Sequence, residues 1–396
     1  MYHYKISTIP ALLHVFAAGR FLYPEHSFYQ EGCSLTEHTF YMRRAVALAK
    51  QGCGLTNPNP MVGAAIVKNG HIIGEGWHTK YGALHAERHA LSRCTESPEG
   101  AAMYVTLEPC CHHGKQPPCT EAVIQSGIRT VYIGSRDPNP LVAGKGVQLL
   151  QKAGILVHTD FLKAECDAIN PFFFHYITTR RPYCILKYAM TMDGAIACRN
   201  GASKWVTGER ARADVQQTRK AVAAILVGIG TVLADDPMLT CRIAPECNPV
   251  RIVCDSHLRI PLESKLVQTA KSVPLVVMTC ETDAERTAAL QQCGVTVCVL
   301  PPDKTGKPAF SAILQKIGEM GLDSVLIEGG AAIHAAALQT GMVQQVQVYL
   351  APKLFGGDGL SPVGTLGITD PMQAISFSAP TVTPLGQDLR LDYFAR

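Results

Sequence analysis

The sequence predicts an α/β protein built as two layered domains. A chain of 396 residues exceeds one ordinary hydrophobic core. Short apolar runs of strand type alternate with helix-type periodicity through both halves. The two series are separated near residue 180 by an aromatic cluster and by Arg180-Arg181-Pro182. At 47% hydrophobic and 17% charged, the composition excludes a disordered or fibrous chain. A formal charge of +4 is too small for a broad nucleic-acid surface, although local basic pockets could still hold phosphate. No run reaches the roughly 18 apolar residues of a membrane span. The expectation is a soluble protein whose partners are neither nucleic acid nor membrane, and a homo-oligomer is left open.

The 15 cysteines are odd in number and spread along a long chain, unlike the framework of a small secreted domain. Cys184, Cys254 and Cys298 sit inside apolar runs and read as small buried hydrophobes. A reducing, cytoplasmic compartment is the expectation.

Residues 1–36 form an extension with an apolar stretch from Ile9 to Ala18, preceded by Lys5 as its one clear positive charge. The stretch is short and lacks a clear small-residue cleavage site, which disfavours a signal peptide. A poorly ordered extension, or an upstream start codon with Met42 nearer the true beginning, is the reading. No function is assigned to it.

The first domain is expected over residues 37–179. Glu37–Gly52 has helical spacing, and Gly52 can end it. Thr56-Asn57-Pro58-Asn59-Pro60 cannot be helical with two prolines so close. Val62–Lys68 and His71–Gly76 read as strands joined by the hairpin turn Asn69-Gly70. A helix over His85–Arg93, a strand over Ala102–Leu107, a helix over Thr120–Gly127 and a strand over Thr130–Gly134 follow. Next come a helix Val147–Ala153, a strand Ile155–Val157, a helix Leu162–Asn170 and an aromatic bridge Pro171–His175, expected to pack between domains.

Two helix starts in this half carry chemistry. His85-Ala86-Glu87 opens one, and Pro109-Cys110 lies where a strand gives way to the next, with Cys119 nine residues on. Zinc base deaminases combine H-x-E with P-C-x-x-C; here the second half is stretched. Zinc that activates water needs three firm ligands and one open position. One imidazole and two thiolates could supply them. Glu87, two residues from His85, is too close to be a comfortable second ligand but can reach a bound water and shuttle its proton. A closed structural zinc remains an alternative, because Cys111, His112 and His113 are spare donors.

The second domain is expected over residues 180–396. Strands are expected at Tyr183–Tyr188, Ala223–Gly228, Val250–Cys254, Leu275–Met278, Val295–Val299, Ser324–Ile327, Gln344–Leu350 and Asp388–Tyr393. Helices are expected at Gly208–Thr218, Phe310–Met320 and Ala332–Thr340. The pattern suggests a doubly wound open sheet. The fingerprint G-x-G-x-x-G is absent; Gly228-Ile229-Gly230-Thr231 holds only its first part. Leu326-Ile327-Glu328-Gly329-Gly330-Ala331 runs from strand through glycines into a helix, a place where free N–H groups favour phosphate. The residues by themselves therefore point to a phosphate-bearing ligand, with a tight turn as the alternative.

Glu108-Pro109-Cys110-Cys111-His112-His113-Gly114-Lys115-Gln116-Pro117-Pro118-Cys119, with His85-Ala86-Glu87 and Asn57-Pro58-Asn59-Pro60-Met61-Val62-Gly63, resembles the deaminase half of the bifunctional riboflavin-biosynthesis deaminase/reductase family. Lys187–Gly194, Ser203–Thr207, Val232–Arg242 and Asp255–Arg259 resemble its reductase half. The resemblance runs from about Glu37 to the C-terminus. It implies a cytidine-deaminase-like three-layer domain followed by a dihydrofolate-reductase-like domain. It implies one zinc per chain on His85, Cys110 and Cys119, Glu87 as proton donor, and no ligand role for Cys111, His112 or His113. Asn59 and its neighbours would line a pyrimidine pocket.

For NADPH, the resemblance implies contacts from Ala189, Trp205, Thr231, Asp235, Ser256 and the run Gly330, Ala331, Ala332, Ile333, His334, Ala335 and Ala336. For a small-molecule pyrimidine ribosyl phosphate, it implies Ser203, Arg219, Leu239, Arg242 and Glu328. Arg219 and Arg242 would suit a forked grip on the phosphate. The implied reactions are hydrolytic deamination of a diaminopyrimidine and NADPH-dependent reduction of its ribosyl group to ribityl. Lys187 and Asp193 are candidate acids for the second step. Ser256 and Arg259 are expected to read the cofactor 2′-phosphate.

Overall fold

The structure is a computed structural model, which describes residues 35–113, 116–139, 142–244 and 247–396. The expected N-terminal extension up to Ser34 lies outside the described residues. The rest forms two sheets, one of five strands and one of nine.

The first sheet contains β1 (Gly63–Lys68), β2 (His71–Trp77), β3 (Ala102–Leu107), β4 (Thr130–Ser135) and β5 (Leu156–His158), in the order β2-β1-β3-β4-β5. β1 is antiparallel to both neighbours, and β3, β4 and β5 run parallel. Period-two alternation sends Ala65, Val67, Tyr104 and Tyr132 to one face and Ala64, Ile66, Met103 and Ile133 to the other. The first face is covered by α1 (Leu35–Ala49) through Tyr41, Met42, Ala45 and Val46. The second is covered by α2 (Ala86–Ser92), α3 (Cys119–Gln125) and α4 (Lys145–Lys152). This is the expected three-layer sandwich. Gly76 shows why glycine recurs in β2: a Cβ there would lie 2.2 Å from Ala90 N and 2.6 Å from Ala86 O. That contact seats α2, and with it His85 and Glu87, directly on the sheet.

The expected helix over Leu162–Asn170 is shorter, α5 (Lys163–Asp167), and the aromatic bridge is itself helical, α6 (Pro171–Thr179). Pro171 takes the first helical turn, where a missing N–H costs nothing. Phe172 packs against Tyr183 with ring centroids 5.2 Å apart, and Tyr176 Oη donates to Gly318 O at 3.0 Å. The aromatics thus join the two halves.

The second sheet has the order β10-β9-β8-β7-β11-β6-β12-β14-β13. Its strands are β6 (Tyr183–Thr191), β7 (Ala224–Gly228), β8 (Val250–Cys254), β9 (Leu275–Thr279), β10 (Thr296–Val299), β11 (Ser324–Ile327), β12 (Gln345–Ala351), β13 (Thr381–Leu385) and β14 (Asp388–Phe394). Pairing is parallel from β10 to β12 and antiparallel through β14 and β13. One face packs Leu186, Leu226, Ile252 and Ile327 against α11 (Phe310–Glu319) and α12 (Ala331–Gln339). The opposite face packs Ile225, Val227 and Val253 against α8 (Ile229–Asp235), α9 (Lys265–Gln268) and α10 (Ala284–Gln292). Helix α7 (Glu209–Ala221) lies over Tyr349 of β12. β7, β8 and β11 are parallel, so Gly228–Thr231, Asp255–Arg259 and Glu328–Gly330 emerge at one edge, the usual ligand edge of such sheets.

Candidate active sites

In the first domain, two helix starts converge. His85 is the N-cap of α2 with extended backbone, φ −69° and ψ 159°, so its ring projects beyond the helix. Cys110 follows β3, and Cys119 opens α3. Cys110 Sγ and Cys119 Sγ lie 3.5 and 3.4 Å from His85 Nδ1. The three donor atoms fall within 4.8 Å of one another and make the single metal-capable cluster of this kind among the described residues. Tetrahedral zinc with ordinary Zn–S and Zn–N lengths sets such donors about 3.6 Å apart, so the spacing fits the metal. Cys111 and His112 stand beside the cluster but are not members of it.

The surrounding backbone is tied firmly. Arg88 donates to Pro118 O at 2.7 Å and to Pro117 O at 3.2 Å, latching the end of the Cys110–Cys119 loop. The buried Glu108 carboxylate accepts from Gly144 N at 3.1 Å, Val147 N at 3.2 Å and Asp137 N at 3.4 Å, joining the Cys110 strand end to α4. Cys119 N–H points to Cys110 Sγ at 3.4 Å. The hydrogen bond from the Cys119 thiol, and then the neighbouring His85, lower the Cys110 pKa, so Cys110 is poised as a thiolate, the form that binds metal.

Glu87 follows in the first turn of α2 and is 4% exposed. Burial, and after it the Cys110 thiolate, push its carboxyl up to about 7. A carboxyl near neutrality can take a proton and return it; a divalent cation at the cluster would draw it down again. The cleft has a volume of about 400 Å³, and its walls include Asn59, His78, His112 and Asp137, with Tyr176 and Arg180 from the α6 segment. His78 Nδ1 lies 3.0 Å from Leu84 O, and its Nε2 lies 3.2 Å from Asn59 Nδ2. With the proton on Nδ1, Nε2 accepts from the Asn59 amide, and burial holds His78 below its usual pKa. Asn59 Oδ1 is then the atom available to a ligand. Of these groups the sequence pointed only to Asn59. A lone His after a tryptophan, and an arginine at a domain boundary, carry no local signature.

In the second domain, Arg219 near the end of α7 meets Glu328 just after β11: Nε to Oε1 at 2.9 Å and Nη2 to Oε2 at 2.8 Å. Arg219 Nη1 also donates to Thr240 O at 3.1 Å. The fork expected for phosphate is therefore committed to Glu328, whereas the Arg242 side chain is exposed. Lys187 is pushed down by burial, with Glu328 opposing. Its ammonium sits 5.5 Å from the Tyr349 ring centroid. Asp193, the other candidate acid, accepts from Phe355 N at 2.9 Å and Gly356 N at 2.7 Å and sits below its usual pKa. It ties a loop and is poorly placed to give up a proton.

The glycine turn lies tightly on β7. A Cβ on Gly329 would lie 2.8 Å from Val227 Cβ and 3.0 Å from Thr231 Oγ1, and Gly330 has φ +75°. Thr231 thus abuts the start of α12. Ala189, Ser203, Ser256, Ala331, Ile333 and Ala336 show partial or full exposure, as does Ala332. Trp205 is 59% exposed with Arg212 Cζ 4.5 Å above its ring, and Lys204 Nζ lies 3.8 Å from Asp235. His334 is different: it is 2% exposed, its Nδ1 lies 2.8 Å from Pro362 O, and its ring packs near Tyr188. Its backbone N–H donates to Gly330 O at 3.1 Å within the first turn of α12. Leu239 is 4% exposed and Ala335 7%. Arg259 Nε is 3.8 Å from the buried Asp255 carboxylate.

Comparison with known proteins agrees with this geometry. Residues 35–135 match the cytidine and deoxycytidylate deaminase zinc-binding region, and residues 182–389 match the RibD C-terminal domain. The riboflavin biosynthesis protein RibD of Actinobacillus pleuropneumoniae is 53% identical over 354 residues, 89% of this chain and 94% of that protein. The Escherichia coli RibD is 38% identical, over 89% of this chain and 98% of its own. A crystal structure of the Thermotoga maritima deaminase/reductase superposes with a TM-score of 0.82 at 37% identity, covering 91% of this chain and 99% of that one. Acinetobacter baumannii RibD gives 0.83 at 37% identity, covering 92% and 100%. With a zinc-binding deaminase domain joined to an NADPH-dependent reductase domain, the chain belongs to the RibD family of bifunctional riboflavin-biosynthesis enzymes.

Proposed function

We propose that the chain carries out both reactions named for the Thermotoga maritima relative, diaminohydroxyphosphoribosylaminopyrimidine deaminase and 5-amino-6-(5-phosphoribosylamino)uracil reductase. The observation that carries the reading is the His85–Cys110–Cys119 cluster with Glu87 buried beside it. We place the domain division near residue 180, with residues 37–179 and 180–396 as the two units.

In the first domain, His85, Cys110 and Cys119 hold the zinc, which supplies an ionised water at neutral pH when bound. Asn59 Oδ1, oriented by His78, accepts from the pyrimidine edge. Glu87 takes the proton of the attacking water and passes it to the departing amine, so the ring gains oxygen and ammonia leaves. Arg180 and His112 line the same cleft and face the rest of the substrate.

In the second domain, the glycine turn and α12 (Gly330 to Ala336), with Ala189, Trp205, Thr231, Asp235 and Ser256, hold NADPH, which supplies hydride when bound. Arg259 with Ser256 reads its 2′-phosphate. Ser203, Leu239 and Arg242 hold the ribosyl phosphate, while Arg219 fixes Glu328 against the sugar. Lys187 donates the proton to the ring oxygen as the C1′–O bond opens and C1′ takes hydride, giving ribityl. Substrate and cofactor are small molecules, and we assign the enzyme to the cytoplasm. No helix among the described residues is long and apolar enough to cross a membrane.

The test is to supply the diaminopyrimidine ribosyl phosphate with NADPH to the zinc-loaded chain and follow both products. Equimolar ammonia release and NADPH oxidation support the reading. Neither signal, in protein that holds zinc, overturns it.

A further inference from the structure

A second cavity, of about 480 Å³, lies where the two domains meet. Its walls come from the end of α1 and the following loop, from the start of α6, and from α7 and the turn before β11. It is distinct from the zinc cleft, yet Asn59 and Phe173 line both. On the reductase side it is lined by Gln217, Lys220 and Ala221, flanking the Arg219 that grips Glu328. A molecule in this cavity would therefore touch one wall of the first cleft and the helix that carries Arg219.

The lining has a definite chemistry. Lys50 is exposed and Lys220 half-buried, and both belong to the lining, which gives the cavity a cationic side. Among the described residues neither forms a salt bridge. Phe172 and Phe173 supply aromatic surface. At the buried side, Thr56 is 0% exposed and its Oγ1 has no hydrogen-bond partner. An orphaned buried hydroxyl is destabilising, so a site that keeps one gains when a ligand pairs with it. Asp323, 2% exposed, adds a carboxyl that can accept from a ring N–H. The two domains touch at its rim: a Cβ on Gly54 would fall 2.1 Å from Lys220 O.

We propose that this interdomain cavity is a regulatory site for a small heteroaromatic anion, its ring on Phe172 and Phe173 and its anionic group on Lys50 and Lys220. Ring N–H groups point inward to Asp323, and a ring carbonyl accepts from Thr56. The volume lies within the usual range for small-molecule sites, and such sites favour domain interfaces. Its effect on rates rests on the two activities proposed above; its binding does not.

Flavin mononucleotide is a suitable probe, since it carries ring imide and phosphate and the anisotropy of its intrinsic fluorescence rises when it binds. Titrated into the zinc-loaded full-length chain, it is expected to saturate at one per chain. Lys50→Ala with Lys220→Ala should weaken binding at least tenfold, and Thr56→Val, which keeps the shape and removes the hydroxyl, should weaken it severalfold. Both variants should retain the wild-type ammonia release and NADPH oxidation in the absence of the probe. In wild type the probe should shift both rates with one half-saturation, and in the double-lysine variant neither. Equal affinity in wild type and the double-lysine variant, no saturable binding, or binding that leaves both rates unchanged would each overturn the proposal. Absence of both activities would instead count against the proposed function and leave the binding result standing.

Discussion

Arg219 and Glu328 are joined by two hydrogen bonds, 2.9 Å from Nε and 2.8 Å from Nη2, between the end of one helix and the turn after one strand of the reductase sheet. Burial alone would raise the Glu328 carboxyl, but Arg219 and then Lys187 hold it at about 2. The folded pKa is thus below the ordinary 4.5. The pair's stabilising contribution is complete above that value and is lost as pH falls from there toward 2. It amounts to roughly 3 kcal/mol. Glu328→Gln should be less stable than wild type at neutral pH and should show a flatter fall in stability below pH 4.5. Urea unfolding across that range measures it, and parallel curves for the two proteins would refute the linkage.

Adjacent cysteines should behave differently. Cys110 Sγ lies 3.5 Å from His85 Nδ1, whereas Cys111 is outside the metal-capable cluster. Cys110→Ser should lose most bound zinc, and Cys111→Ser should hold nearly the wild-type amount. Metal content after dialysis decides it; equal loss in both would demand another ligand set.

Arg251 is fully buried, and its guanidinium donates to Thr269 Oγ1 at 2.7 Å and Leu266 O at 3.2 Å as well as to Val273 O. Burial lowers its pKa to about 10, so it is still charged at neutral pH. Arg251→Met keeps much of the volume but orphans several carbonyls, at about 2–4 kcal/mol in total. In a domain of this size, that lowers Tm by roughly 4–16 °C. An unchanged Tm would mean that water replaces the guanidinium at little cost.

How far the sequence was legible depended on how local each signal was. The metal-capable cluster was readable because its donors lie in two short motifs at helix starts, and Val250–Cys254, Ala102–Leu107 and Ser324–Ile327 have the predicted bounds because apolar runs end at clear turn residues. The helix Ile229–Asp235 was missed: Gly228 and Gly230 look like a loop, and only packing of Ile229 and Val232 beneath the sheet makes it helical. Ala284–Gln292 has few apolar residues and buries only Leu290, so no stripe marks it. The edge strand Thr381–Leu385 contains Pro384, tolerated because an edge leaves one row of N–H groups unpaired. The resemblance implied that Arg219 contacts the ribosyl phosphate; its pairing with Glu328, distant in sequence, shows only in the fold. His78 and Arg180 entered the cleft beside the metal-capable cluster in the same way: tertiary placement alone brought them there.

The most direct test of the account is Glu87→Gln, measured for zinc, ammonia release and reductase activity in one preparation. Glu87 is assigned to proton transfer and not to the metal, and the reductase site lies on a separate sheet. The variant should keep about one zinc per chain. Its ammonia release should fall by about 100-fold or more. Its NADPH oxidation with the already deaminated substrate should match wild type. Loss of zinc together with deamination, or ammonia release near the wild-type rate, would contradict the account.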